Sequence, residues 1–209
     1  MWELEIKNMK EKTNYGNWVP EKMLYLMFGL AAVFLVITVA AKAVLHKPVI
    51  AIVLGALCIL SLLYAVYMLI CHEIFAFGKG NMMAGVHEHL VDHLKWNGEG
   101  KLLDIGCGAA ALTVRCAKAF PEARITAVDY WGVEWSYAKE QCERNARIEG
   151  VAGQITFWKG DAAKLDFPDG TFDAAVRNFV FHEVRSAKDK RDVVKEALRV
   201  VKKGGVFSF

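Results

Sequence analysis

The sequence predicts an α/β domain, a parallel sheet with helices on both faces, preceded by a two-helix transmembrane hairpin. Three observations lead there. Between residues 101 and 209, short apolar runs alternate with amphipathic stretches, the pattern of strands joined by covering helices. Several of those runs end in an acid or a glycine turn. Before them, within residues 23–71, lie two long apolar runs, each long enough to cross a bilayer.

Composition agrees. Hydrophobic residues make up 55% of the 209, above the ~45–50% usual in soluble domains, and the excess sits in residues 23–71. Charge is nearly balanced, with 26 Lys and Arg against 23 Asp and Glu. That balance argues against nucleic acid as the main partner. The five cysteines are Cys58, Cys71, Cys107, Cys116 and Cys142. Their number is odd and no two have C-x-x-C spacing, so neither a disulfide framework nor a zinc site is expected.

The first apolar run extends from Met23 to Leu45, interrupted only by Lys42, and the second from Pro48 to Cys71. A helix of about 20 residues crosses a ~30 Å hydrocarbon core, and lipid leaves a helix as the natural way to satisfy the backbone. Only His46 and Lys47 separate the runs, and Pro48 suits the first turn of a helix. So short a link implies an antiparallel hairpin. Two buried core helices would need a larger soluble fold than this one. Ala41-Lys42-Ala43 loosely resembles a signal-peptidase site, but the polar lead is too long and a second apolar run follows at once. Two crossings put both flanks on one side. Lys7, Lys10, Lys12 and Lys22 in the tail outnumber Lys42 and Lys47 at the turn, which favours a cytoplasmic N-terminus. The expected organisation is a cytoplasmic tail over 1–22, the hairpin over 23–71, a linker with one helix over 72–100, and the α/β domain over 101–209, also cytoplasmic.

In the linker, two glycines break Phe75–Gly80, and Val86, Leu90 and Leu94 recur at helical spacing, which predicts a helix from Gly85 to Trp96. His89 and His93 stand four apart on it, but no carboxylate or cysteine completes a ligand set at a recognised spacing, so no metal is expected. In the domain, strands are expected over Lys101–Ile105, Arg124–Asp129, Gln154–Trp158, Phe172–Asn178 and Val206–Phe209. Helices are expected over Ala110–Ala119, Val133–Glu149 and Ala187–Lys202. Glu140/Arg144 and Glu143/Arg147 are i,i+4 pairs in the favourable order. Val193, Val194, Ala197, Leu198 and Val201 form one apolar stripe.

The most informative segment is LLDIGCGAAALT, residues 102–113. A strand ends in Asp104, Gly106 and Gly108 allow a tight turn, and a helix follows. The helix start offers free N–H groups, while an acid at the strand end points to a cationic ligand. Next, Ile125–Asp129 ends in an acid placed to accept hydrogen bonds from a ribose diol. Asp161 and Ala162 follow the third strand, and Asn178 closes the fourth. Ligands of open α/β sheets bind at the carboxyl ends of the strands, and these positions all fall there.

Taken together, LLDIGCGAAALT, ITAVDYW, WKGDAAKLDFPDGTFDAAV and ALRVVKKGG resemble the class I S-adenosylmethionine (SAM)-dependent methyltransferases over roughly residues 84–209. The likeness is greatest to the small-molecule branch that includes the quinone-biosynthesis enzymes. It implies a Rossmann-like sheet and SAM as cofactor. Asp104, Gly106 and Gly108 would line the methionine part of SAM. Asp129 would hold the ribose hydroxyls, with Tyr130 beside the adenine. Asp161 would bond the adenine amino group, with Ala162 nearby, and Asn178 would border the substrate. Ala110 replaces the third glycine of the family pattern. The implied chemistry is methyl transfer to a small-molecule acceptor, with His182 and Glu183 as candidate general base or substrate contacts. The family sheet has seven strands and this sequence reaches the fifth, so a fragment of a longer chain is expected. Alternatives are a non-catalytic SAM-binding or scaffold protein and an NAD-dependent oxidoreductase. The D-x-G-x-G form, with Gly160-Asp161, favours SAM over NAD.

Overall fold

The computed structural model describes residues 11–43, 46–132 and 139–209. It divides into two compact units. One holds Asn17–Met83; the other holds Ala84–Phe209 together, among the described residues, with Glu11–Gly16. The described part of the stretch expected as a tail over 1–22 thus falls in both units. Glu11–Gly16 packs with the sheet, and Asn17 onward belongs with the hairpin.

The first unit is built on α1 (Glu21–Ala43) and α2 (Pro48–Phe75). Both are long and apolar enough to cross a membrane. Cys58 Sγ donates to Ala31 O at 3.3 Å, and Gly55 faces Thr38. Advancing on one helix while retreating on the other is the register of an antiparallel pair. Small residues lie buried between them: Ala31 and Ala41 on α1, Ala51 and Ala65 on α2. Large apolar side chains such as Leu35, Val36, Ile52, Leu60 and Leu63 face outward. That inside-out distribution suits helices packing in lipid, where small residues let backbones approach closely. At the open end, Asn17 Nδ2 donates to His72 O at 2.9 Å, and His72 Nδ1 meets Val19 O at 2.8 Å.

Next in the chain is α3 (Met82–Asp92), which starts one turn earlier than the spacing predicts. Then come β1 (Gly100–Ile105), α4 (Ala111–Ala119), β2 (Ala123–Asp129), α5 (Lys139–Ile148), β3 (Ile155–Lys159), β4 (Phe172–Arg177), α6 (Lys190–Val200) and β5 (Val201–Ser208). Residues 133–138, expected to open the helix before β3, lie outside the described residues. The strands form one sheet in the order β3-β2-β1-β4-β5, and every neighbouring pair is parallel. It is the expected Rossmann-like sheet. Because both faces are covered, the inner strands read as nearly continuous apolar runs. Leu102, Ile125, Ala174 and Val176 face α3, α4 and α5, meeting Leu90, Leu112, Cys116 and Ala146. Leu103, Ile105, Val128 and Ala175 face α6, meeting Val193, Ala197 and Val200.

One boundary moves. The sequence places Val201 on the apolar stripe of a helix reaching Lys202, with the strand starting at Val206. Instead α6 ends at Val200, and Val201 opens β5 opposite Phe172. The register then shifts so that Ala174 pairs with Val206. Asp189 caps α6 at its start, its carboxylate accepting Arg191 N–H at 2.9 Å.

Phe172 is the largest fully buried side chain, packed edge-on to Phe167. Phe172→Ala is expected to cost about 3–5 kcal/mol, measured as a lowered midpoint of chemical denaturation of the sheet unit in the detergent-solubilised chain.

Candidate cofactor site

The chain must turn from β1 into α4 within five residues. Gly106 and Gly108 make the turn with φ of +75° and +56°, values that L side chains rarely adopt. Gly106 N–H and Cys107 N–H both donate to Val128 O, at 2.7 and 3.1 Å, which ties the turn to β2. A Cβ on Gly106 would fall 2.3 Å from Val180 Cγ2. Ala110 itself has φ +68°, so the position where the family pattern has glycine is set by backbone conformation as well as by packing. The loop is also held from behind. Trp131 Nε1 and Cys142 Sγ donate to Gly108 O at 3.1 and 3.0 Å, and Asn145 Nδ2 donates to Ala109 O at 2.9 Å.

Two acids stand beside the loop. Asp104 is 1% exposed, and Thr113 Oγ1 donates to its Oδ2 at 2.5 Å. Burial pushes its pKa from 3.8 up to about 7, against the pull of the Thr113 hydroxyl and with help from the nearby Asp129 charge. Asp129 ends β2. Its Oδ2 accepts Gly108 N–H at 2.8 Å and its Oδ1 accepts Trp131 N–H at 2.8 Å. Burial raises its pKa too, partly offset by these backbone donors.

The other sequence-derived positions lie along the same edge of the sheet. Asp161 follows β3 and turns the chain by accepting Ala163 N–H at 2.8 Å, while Ala162 packs on the core beneath α6. Tyr130 is 63% exposed, with Lys159 Nζ 5.8 Å from its ring centre. Asn178 follows β4, and its Nδ2 lies 2.9 Å from His87 Nε2. His87, on α3, is buried, and burial first, then Arg115, lowers its pKa to about 4. It is neutral near pH 7, so Nε2 accepts the amide proton. His182 and Glu183 lie farther along, 62% and 45% exposed at the side chain, and bond each other at 3.1 Å. Thus Asp104, Gly106, Gly108 and Asp129 converge, Asp161 and Asn178 flank them on neighbouring strand ends, and among the described residues no hydrogen bond joins the side chain of His182 or Glu183 to this group. Sequence reasoning did not single out His87, Thr113, Trp131 or Asn145, because their parts depend on partners distant in the chain or on packing.

Residues 103–209 match a family model described as a methyltransferase domain. The chain belongs to the class I SAM-dependent methyltransferase family. It is 35% identical over 122 residues to a sterol 24-C-methyltransferase of Aspergillus fumigatus, covering 58% of this chain and 30% of that enzyme. It is 32% identical over 106 residues to the ubiquinone/menaquinone biosynthesis C-methyltransferase UbiE of Pseudomonas fluorescens, covering 50% of this chain and 39% of that one. The chain thus spans about a third of the length of these relatives. Among solved structures, the [4+2]-cyclase SpnF superposes with a TM-score of 0.51 at 27% identity, covering 59% of this chain and 43% of that one.

The residues fit SAM. An ionised carboxylate has about four acceptor positions; Gly108 N–H takes one on Asp129 Oδ2 and Trp131 N–H one on Oδ1, and Tyr130 N–H also acts on the carboxylate. Acceptor capacity remains for a ribose hydroxyl. Burial disfavours the charged form of Asp104, and a cationic ligand beside it would favour that form.

The Asp104 shift has a consequence for stability. Folded Asp104 keeps its proton up to about pH 7, whereas the unfolded chain releases it near 3.8. Between those values the folded state holds more protons, so ligand-free stability falls as pH rises through that window. Asp104→Asn removes this loss. The variant is expected to be more stable than wild type at about pH 8, by at most about 4 kcal/mol, and indistinguishable near pH 4, measured by denaturation at both pH values.

Proposed function

We propose that this chain is part of a membrane-anchored SAM-dependent methyltransferase acting on a small, lipophilic acceptor. The observation that carries this reading is the loop that joins Gly108 N–H to the Asp129 carboxylate beside buried Asp104, in a chain whose other unit is an apolar hairpin. One relative is a sterol methyltransferase and the other a methyltransferase of ubiquinone/menaquinone biosynthesis; sterols and these quinones are lipophilic, which supports the acceptor class. Glu11–Gly16 and Ala84–Phe209 flank the hairpin yet pack in one unit. That supports two crossings with both flanks on one side, and the lysine-rich tail favours the cytoplasm.

In this reading Asp129 holds the ribose diol and Tyr130 borders the adenine. Asp161 and Ala162 receive the adenine edge. Asp104, Gly106 and Gly108 face the methionine end, and Asn178 lies between that end and the acceptor. When bound, SAM supplies a methyl group on a sulfonium. The protein's work is to align the acceptor with that methyl and keep water away. His182, with Glu183 against its Nε2, is the candidate to take the acceptor's proton.

A second reading is a member that binds SAM without transferring its methyl. The likeness to a cyclase favours keeping it, because it places a different reaction on a related fold.

The test begins with calorimetry on the detergent-solubilised chain. Wild type is expected to bind SAM more tightly as pH rises from about 6 to about 8, since binding of a cation releases the Asp104 proton. Asp129→Ala is expected to weaken binding about tenfold or more. Methyl transfer from labelled SAM to a sterol or quinone precursor in nanodiscs then separates the readings. Transfer to the lipophilic acceptors supports the first. Transfer confined to water-soluble acceptors overturns the acceptor class, and binding with no transfer favours the second.

A further inference from the structure

The segment Glu11–Gly16 lies across α5, the helix that backs the glycine loop. Asn14 N–H donates to Asn145 Oδ1 at 2.9 Å, and Asn145 Nδ2 donates to Asn14 O at 2.8 Å, across 131 positions of sequence. The side-chain amide of Asn145 thus pairs with a backbone residue as a neighbouring strand would. The same Nδ2 also donates to Ala109 O in the loop at 2.9 Å. Asn145 is 1% exposed, and water is not at hand to replace either bond. Around it, Gln141 Nε2 donates to Asn14 O at 2.6 Å, and Tyr15 OH donates to Glu149 Oε1 at 3.0 Å. Lys118 pairs with Glu149, and Arg144 Nε reaches Glu11 Oε2 at 3.6 Å.

One amide nitrogen therefore holds two pieces of backbone, the strap and the cofactor loop. Asparagine fits this role by chemistry. Aspartate at the same length keeps the acceptor but loses both donors, and leucine loses all three bonds. We propose that Asn145 is a positioning residue that couples the Glu11–Gly16 strap to the cofactor loop, so that strap docking and cofactor binding strengthen each other. Its effect on the cofactor passes through the Gly108–Ala110 backbone. Coupling of this kind is reciprocal: what strap docking does for SAM affinity, SAM does for strap docking. The coupling rests on the loop being the SAM site.

Hydrogen exchange and calorimetry on the full detergent-solubilised chain, with SAM as the probe, test it. In wild type, saturating SAM is expected to slow exchange at Asn14 and neighbouring strap amides several-fold. Asn145→Asp is expected to weaken SAM about tenfold and to abolish that slowing. Tyr15→Phe keeps every loop contact and removes the strap's hydroxyl bond to Glu149, so it should fold and yet bind SAM about threefold more weakly. Strap exchange indifferent to SAM, or wild-type SAM affinity in both variants, overturns the coupling while leaving the cofactor reading intact. No SAM binding by wild type overturns that reading and the coupling with it.

Discussion

The hydrogen bond from Gly108 N–H to the Asp129 carboxylate is the constraint on which the site depends. It fastens the loop after β1 to the end of β2, in a turn that Gly106 and Gly108 make with positive φ. Once it is made, neighbouring groups are committed. Gly106 must lie close under Val180, Trp131 closes over the Gly108 carbonyl, and Asp104 is sealed between β1 and α4 with Thr113 as its hydroxyl partner. Two acids then sit close together in a place that water scarcely reaches, and their raised pKa values follow. Burial disfavours the charge on Asp104, and a cationic ligand beside it would favour that charge.

Strand order explains why the groups meet. With β1 at the centre, the chain runs outward first through β2 and β3 and then, in the other direction, through β4 and β5. The reversal between β1 and β4 is a topological switch point, and open α/β sheets bind ligands at the carboxyl edge beside such a point. α3 closes one side by placing neutral His87 against Asn178. α5 closes the back through Cys142 and Asn145, bringing in a strap from before the hairpin.

The hairpin obeys the opposite packing logic. In the sheet unit, large side chains fill the interior and small ones allow turns. In the hairpin, Leu24 and four alanines are buried, while many leucines, isoleucines and valines face outward. Such a distribution suits a lipid surrounding, in which close backbone approach is the remaining gain from helix pairing.

Much of this was legible in the sequence because it rests on local pattern. Apolar runs of about 20 residues, strands ending in acids, glycines between strand and helix, and charge pairs four apart each report a local constraint. They sufficed for the hairpin, the parallel sheet, the family and the alignment of Asp104, Gly106, Gly108, Asp129, Asp161 and Asn178 along one sheet edge. The tertiary structure decided what requires distant partners. The start of β5 at Val201 was hidden because a valine suits a helix stripe and a strand equally, and pairing with Phe172 settled it. Ala110 read as a packing substitute until its backbone was seen to be left-handed. His87, Thr113 and Asn145 are ordinary helix residues by pattern, and only burial beside Asn178, Asp104 and Ala109 gives them a part. The division of the N-terminal tail at Gly16 left no local signal either, because the bonds that hold Asn14 to α5 reach 131 residues along the chain.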